Sequence, residues 1–183
     1  MNLRFDERRT TQAVAMLIRL RGGAISYLKL MKLLYLVERE SVIRWGRPFT
    51  FDRPISMDQG TVLSSTLNLI KEDTPANEHT YWKTHISPPC GDHEIALLKE
   101  PEYDELSPKD CELIEEIFAK FGRLDRWALR NLTHTLPEWH DPHGSSLEID
   151  YREILMSAKK SPDEIGQILS EIEGIALVDK LFS

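Results

Sequence analysis

From Ser26 to Trp45 the chain reads SYLKLMKLLYLVERESVIRW, and apolar residues occupy almost every face of its first half. Leu28, Met31, Tyr35 and Ile43 recur at helical spacing, while Leu30, Leu33, Leu34, Leu36 and Val37 fill the faces between them. A girdle that closes nearly all round belongs to a helix covered on several sides by other elements. At 1.5 Å per residue such a helix is about 30 Å long, the width of a small domain. Lys29 and Lys32 lie inside the girdle, and Glu38, Arg39 and Glu40 end it too early for a bilayer span. Its limits are punctuated: Gly22 and Gly23 break the preceding segment, Ser26 is an N-cap type, and Gly46 before Arg47 and Pro48 is a terminator. Glu40 and Arg44 stand at i,i+4 on the polar half.

The same reading extends along the chain. Asp6 to Leu20 predicts a first helix, with Ala13, Leu17 and Leu20 on one stripe. Arg47 to Met57 contains two prolines and alternating Phe49, Phe51 and Ile55, which predicts an extended connection. A helix is expected over 61–71, with Asp58 as its cap, followed by a loop at 73–79. Tyr81 to Ser87 alternates like a strand, PPCGD is a turn, and Ile95 to Leu98 is the expected return strand. Two strands alone are marginal in water, so this hairpin is expected to lie against the helices. Ser107, Pro108 and Asp110 form an N-cap, N1 and N3 series opening a helix to Phe121. A further helix runs from Asp125 to His134 carrying Trp127, Leu129 and Leu132, and Pro137 closes it. A polar loop spans 140–146, Ile149 to Ala158 reads as a helix or a strand-to-helix entry, and Ser161-Pro162 opens an appended last helix to about 178. The expectation is a mainly α fold: one compact multi-helix domain over 1–183, built around a long central helix, with a small antiparallel β-hairpin.

Composition narrows the class. A chain of 183 residues, 41% apolar and 29% charged, suits one globular domain. The charged start MNLRFDERRTTQ lacks the apolar core of a signal peptide, and Cys90 and Cys111 offer no C-x-x-C. The expected setting is therefore the cytoplasm, with no membrane partner. The net charge of −7 opposes a sequence-independent grip on nucleic acid. Its distribution is uneven: residues 1–60 hold 11 Lys or Arg against 6 Asp or Glu, so the rest carries 12 against 24. A field of that shape steers a charged partner to one side of the domain.

A resemblance enters with the run KLMKLLYLVERESVIRWGRPFTFDRPISMDQGTVLSSTLNLI. Its Lys32 to Tyr35 helix, Arg39, the Gly46 to Pro48 turn and the Gly60 to Val62 step resemble, in order, the central block of the Panacea-domain family, the SocA-like antitoxins of bacteria and phages. Thr61 stands where that family usually carries proline. The segment FGRLDRWALRNLTHTLPEWHDP is similar to the family's later helix, so the likeness runs from about Thr10 to Leu155. It implies an antitoxin with no active site and no cofactor. Its partner is the toxin encoded beside it, neutralised by occlusion or by delivery to a protease. It also implies a partner-binding rim where the central helix ends and the next begins: Arg39, Arg44, Arg47, Asp58, Gln59 and Gly60, with Trp45 as an aromatic anchor.

Residues for three other chemistries are present in part. His134, His140, Asp141 and His143 are metal-ligand types, and a metal-dependent enzyme on this loop is the alternative reading. Their spacing fits no single helical face, and Pro137 and Pro142 interrupt it, so His134 in a hydrogen bond and His140 and His143 on a loop is the favoured account. Cys90 lies beside Asp92, which disfavours a thiolate, and neither a nucleophile elbow nor a phosphate-binding glycine loop occurs. The helices ending at Phe121 and His134 have helix-turn-helix lengths, with Arg123, Arg126 and Arg130 to meet phosphates. Glu112, Glu115 and Glu116 on the first of them oppose that use and leave nucleic acid disfavoured.

Overall fold

The computed structural model describes residues 4–71 and 80–181; the loop expected at 73–79 lies outside them. The described residues form eight helices and two small antiparallel sheets. Helix α1 (Glu7–Arg21) starts at Asp6, which accepts a hydrogen bond from the Arg9 amide, and ends at Gly22 with φ of 102°. Strand β1 (Ala24–Ser26) leads directly into helix α2 (Tyr27–Trp45). Ser26 holds the N-cap position but makes no side-chain cap bond; the Tyr27 amide donates instead to the His93 carbonyl at 2.9 Å. A backbone acceptor from another segment has replaced the expected local one.

Every residue from Lys29 to Val37 is buried, and so is Glu38. The surrounding elements are α1, β1, strand β2 (Pro54–Met57), strand β3 (Gly60–Leu63), helix α3 (Ser64–Ile70), helix α5 (Pro108–Phe121), helix α6 (Arg126–His134) and helix α7 (Tyr151–Ser157). Of these, α1, β1, β3, α5, α6 and α7 pack on α2 directly.

Two expectations are corrected here. Gly60 to Leu63 is a strand, not the opening of a helix: β2 and β3 pair with Pro54 opposite Leu63 and Met57 opposite Gly60, leaving Asp58 and Gln59 as the turn. Helix α3 starts only at Ser64, with Leu63 at the N-cap position, and its first-turn amides are met by Asp52, not Asp58. Asp52 accepts from the Ser65 and Thr66 amides, both at 2.8 Å, and from the Thr66 hydroxyl at 2.7 Å. Strand β5 (Leu147–Glu148) pairs with the other edge of β2, giving the order β3-β2-β5.

The second correction concerns 81–87. Tyr81 to His85 forms helix α4 (Tyr81–His85), capped by Thr80. The alternation of Trp82, Thr84 and Ile86 competes with a second pattern, because Trp82, His85 and Ile86 also satisfy the helical i, i+3, i+4 spacing, and all three are buried. The Trp82 amide donates to Glu7 at 2.9 Å, which ties this turn to α1. The return segment does form strand β4 (Glu94–Ala96), but it pairs with β1. Only single bridges, Ile86 to Leu97 and Cys90 to Glu94, join it to the segment before it.

Helix α5 carries the full capping box, the Ser107 hydroxyl accepting from the Asp110 amide and Asp110 from the Ser107 amide. In α6, Leu129 is buried as expected, but Trp127 is 52% exposed. Helix α8 (Pro162–Leu181) packs on α7 and places Ile168 against Gly46 at the end of α2. Among the described residues no helix is long and apolar enough to cross a membrane.

Candidate partner-binding surface

The residues expected at the rim fall into three places. Arg39 turns inward: its Nε donates to Glu138 at 2.6 Å and its Nη2 to the Ser157 hydroxyl at 2.7 Å. Glu138 is fully buried and also accepts from the Tyr35 hydroxyl at 3.0 Å, so Arg39 neutralises an interior carboxylate. Arg44 and Arg47 face α5. Arg44 donates both terminal nitrogens to Glu116, at 2.6 and 2.7 Å, and its Nε to Glu40 at 2.7 Å. Arg47 pairs with the buried Asp110 at 2.8 Å and lies 5.6 Å above the half-buried Trp45 ring. All three guanidinium groups are thus engaged by carboxylates of the same chain.

Asp58, Gln59 and Gly60 sit elsewhere, at the β2–β3 turn beside α6. Asp58 accepts from the Gly144 amide at 3.1 Å, and its carbonyl from Arg130 at 3.3 Å. Gln59 is exposed. Gly60 is buried with φ of +88°, and a Cβ there would stand 2.5 Å from the Thr133 hydroxyl and 3.2 Å from Lys32 Nζ. Glycine is needed for both backbone conformation and space.

Below this turn the structure gathers Lys32, Thr61, Arg130 and His134, residues that the sequence offers in separate roles and does not bring together. Lys32 is 2% exposed, and its ammonium makes one hydrogen bond, to the Thr61 carbonyl at 2.7 Å. Burial, with Arg130 nearby, brings its pKa down to about 7. Arg130 Nε, His134 Nε2 and Thr61 Oγ1 are buried without a hydrogen-bond partner. The His134 pKa is lowered by burial first, then by Arg130 and Lys32. A lysine inside an otherwise apolar helical face was one signal in the sequence; nothing local to it shows that Arg130 and His134 lie nearby.

A second interior group surrounds Glu38. Its carboxylate accepts from the Phe49 and Thr50 amides at 3.1 and 2.8 Å, from the Thr50 hydroxyl at 2.8 Å and from the Tyr151 hydroxyl at 3.1 Å. Burial pushes its pKa up to about 7 against those four donors. This arrangement clamps the 47–53 connection and α7 onto α2; it does not reach solvent. A separate cavity of about 640 Å³ opens between α3, β5 and α7, lined by Phe51, Arg53, Asn68, Glu148 and Arg152 among others.

The histidines are not brought together. His134 stacks on Trp139 at 4.0 Å, His140 Nε2 lies 3.0 Å from Glu153, and His143 Nδ1 lies 3.6 Å from Asp141. Among the described residues no group of three or more His, Cys, Asp or Glu is placed to hold a metal ion. Cys90 is exposed and Cys111 half-buried. Of the arginines weighed for phosphate contact, Arg123 is exposed, Arg126 lies 3.5 Å from Asp92, and Arg130 reaches Asp58.

Residues 30–140 match the family described as Antitoxin SocA-like, Panacea domain, a span from α2 through α6 that includes every expected rim residue. No curated protein and no solved structure matches the chain.

Proposed function

The chain belongs to the SocA-like antitoxin family, Panacea domain, and from that membership we propose that it is a cytoplasmic antitoxin. It neutralises a toxin encoded by a neighbouring gene through direct protein–protein binding. The observation that carries this reading is the family match over 30–140, which includes the buried helix α2 and the elements packed on it. The physics is compatible. The core is continuous, Glu38, Asp52, Asp110 and Glu138 each accept hydrogen bonds from neighbouring elements, and the charge of the chain is unevenly spread.

Of the expected rim, Arg39 serves the interior, and Arg44 and Arg47 are already paired. The part available to a partner without breaking those pairs is the β2–β3 turn at Asp58 and Gln59, next to α6. Co-expression tests the function: each flanking gene is induced with and without this one, growth is scored, and the pair is co-purified. A neighbour toxic alone, harmless in company, and retained on the tagged chain supports the reading. An unchanged toxin level during rescue separates occlusion from delivery to a protease. Growth arrest by no neighbour removes the antitoxin assignment.

A further inference from the structure

Among the described residues, two groups of cations differ in how they are paired. Arg8, Arg9, Arg39, Arg44 and Arg47 each contact a carboxylate of α5, of 104–105 or of Glu138. On the face made by the first half of α2 and by α6 the situation is different. Lys29 bonds to the Gly122 carbonyl at 2.6 Å, Lys32 to the Thr61 carbonyl and Arg130 to the Asp58 carbonyl. None of these three has a carboxylate in ion-pair contact among the described residues. Lys32 leaves two of its three donors unused at 2% exposure, and the Nε of Arg130 is buried and unpartnered. Buried donors and charges left in this way are unfavourable unless something supplies acceptors.

Lys32 and Arg130 border a crevice of about 10 Å³, together with Leu28, Gln59, Arg126 and Trp127. That is room for one water-sized group. Trp127, 52% exposed, stands at its mouth with the Arg126 guanidinium 5.2 Å from the ring centre. The pair partner of Arg126, Asp92, is 3.5 Å away and 81% exposed, a weak competitor. Resting on the antitoxin reading above, we propose that this crevice docks an acidic segment of the partner protein, one carboxylate oxygen entering against Arg130 and Lys32 while the chain beside it packs on Trp127. Exposed aromatic and arginine side chains around a desolvated pocket are the usual composition of a binding hot spot.

The occupant follows from size and charge. The opening admits an oxygen-sized group and no nucleobase. A polyanion bearing a charge about every 1.7 Å would also meet the net charge of −7 and the exposed Glu112 and Glu115 of α5. A segment with two or three carboxylates engages the local cations and meets far less of that field.

The test uses the full chain and three probes: an acetylated hexaglutamate peptide, a 20-base-pair duplex, and the flanking gene product that the chain rescues. The variants are Arg126→Glu, Trp127→Ala and, as a charge-reversal control away from the crevice, Arg19→Glu on the exposed face of α1. Melting temperatures are recorded for each; both crevice side chains are solvent-accessible, so folding should persist. Hexaglutamate should bind the wild type at low salt, more weakly as salt rises, and about tenfold more weakly to Arg126→Glu. Arg126→Glu and Trp127→Ala should lose neutralisation, with Arg19→Glu still active. Absence of hexaglutamate binding overturns the crevice assignment whatever the toxin experiment gives. Neutralisation that survives both crevice variants overturns it as well, and leaves the antitoxin reading standing. Duplex bound more tightly than peptide, and released by Arg126→Glu, makes this a nucleic-acid surface and overturns the proposal. If no neighbour is toxic but hexaglutamate binds through Arg126 and Trp127, the antitoxin reading fails and carboxylate recognition stands.

Discussion

Replacing Gly60 by alanine joins two separable penalties, and the structure gives a size to each. At φ of +88° an L-residue is strained, by roughly 1 to 2 kcal/mol. The new methyl would lie 2.5 Å from Thr133 Oγ1, a hydroxyl fixed in place because it donates to the Arg130 carbonyl at 2.9 Å. Lys32 Cε and Nζ, both 3.2 Å away, crowd the other side. Overpacking of this kind adds about 1 to 3 kcal/mol. Gly60→Ala should therefore lower stability by roughly 2 to 5 kcal/mol, read from urea unfolding at constant slope. Thr133→Ala alone removes the obstructing hydroxyl and costs about 1 to 2 kcal/mol for the lost bond and methyl. In the double variant the steric part disappears and the backbone part remains, so the loss should fall short of the sum by about 1 to 3 kcal/mol. Thr133→Val restores a branch at the same place and should remove that rescue. Additivity within about 0.5 kcal/mol would refute the steric half of the argument, and a normal stability for Gly60→Ala would refute both halves.

Arg39→Ala should cost about 3 kcal/mol in thermal or urea unfolding, because Glu138 stays behind as a buried carboxylate, whereas Arg44→Ala should cost no more than about 1 kcal/mol. Leu34→Ala, at a fully buried position of α2, should lose about 2 to 5 kcal/mol through a cavity, with any functional defect tracking the unfolded fraction. The Lys32 ammonium is depressed from 10.5 to about 7, so unfolding takes up a proton between those values and stability should rise with pH across that window, by roughly 3 to 5 kcal/mol in total. Lys32→Met should flatten that rise, and an unaltered slope in the variant would show that the lysine is not the group responsible.

What the sequence made legible was local. Ser107 with Asp110, Asp125, Gly46 and the Ser161-Pro162 start all carry their signal within four residues, and each ends or begins a helix in the structure. The errors came where distant residues decide. Gly60 to Leu63 becomes a strand because Pro54 to Met57 lies beside it, and the first-turn amides of α3 are met by Asp52, 12 positions before its first residue at Ser64. Tyr81 to His85 carries two periodicities at once, and the contact of Trp82 with Glu7 belongs to the helical one. The rim residues were visible as polar types in a motif. That Arg39 would meet Glu138, 99 positions on, was not. Lys32 was read as an interruption of an apolar face, since nothing adjacent shows that its ammonium ends under Gly60. Trp127, counted with the core of its helix, is an exposed residue whose neighbours across the crevice come from α2 and the β2–β3 turn.

The clamp on Glu38 and Arg39 has a consequence for how this domain can be cut or transplanted. Glu38 is held by Tyr151 and Arg39 by Ser157, both outside the matched span of 30–140. On the other flank, Arg9 of α1 donates to the Phe49 carbonyl at 2.7 Å and pairs with Asp110. A fragment trimmed to the matched residues would take one partner each from an interior carboxylate and an interior guanidinium and bare two sides of α2 at once. The borders of the family signature are not borders of an autonomous folding unit. Chimaeras that exchange partner specificity should carry the chain from α1 through α7 as one block, with junctions placed before Asp6 and after Ser157.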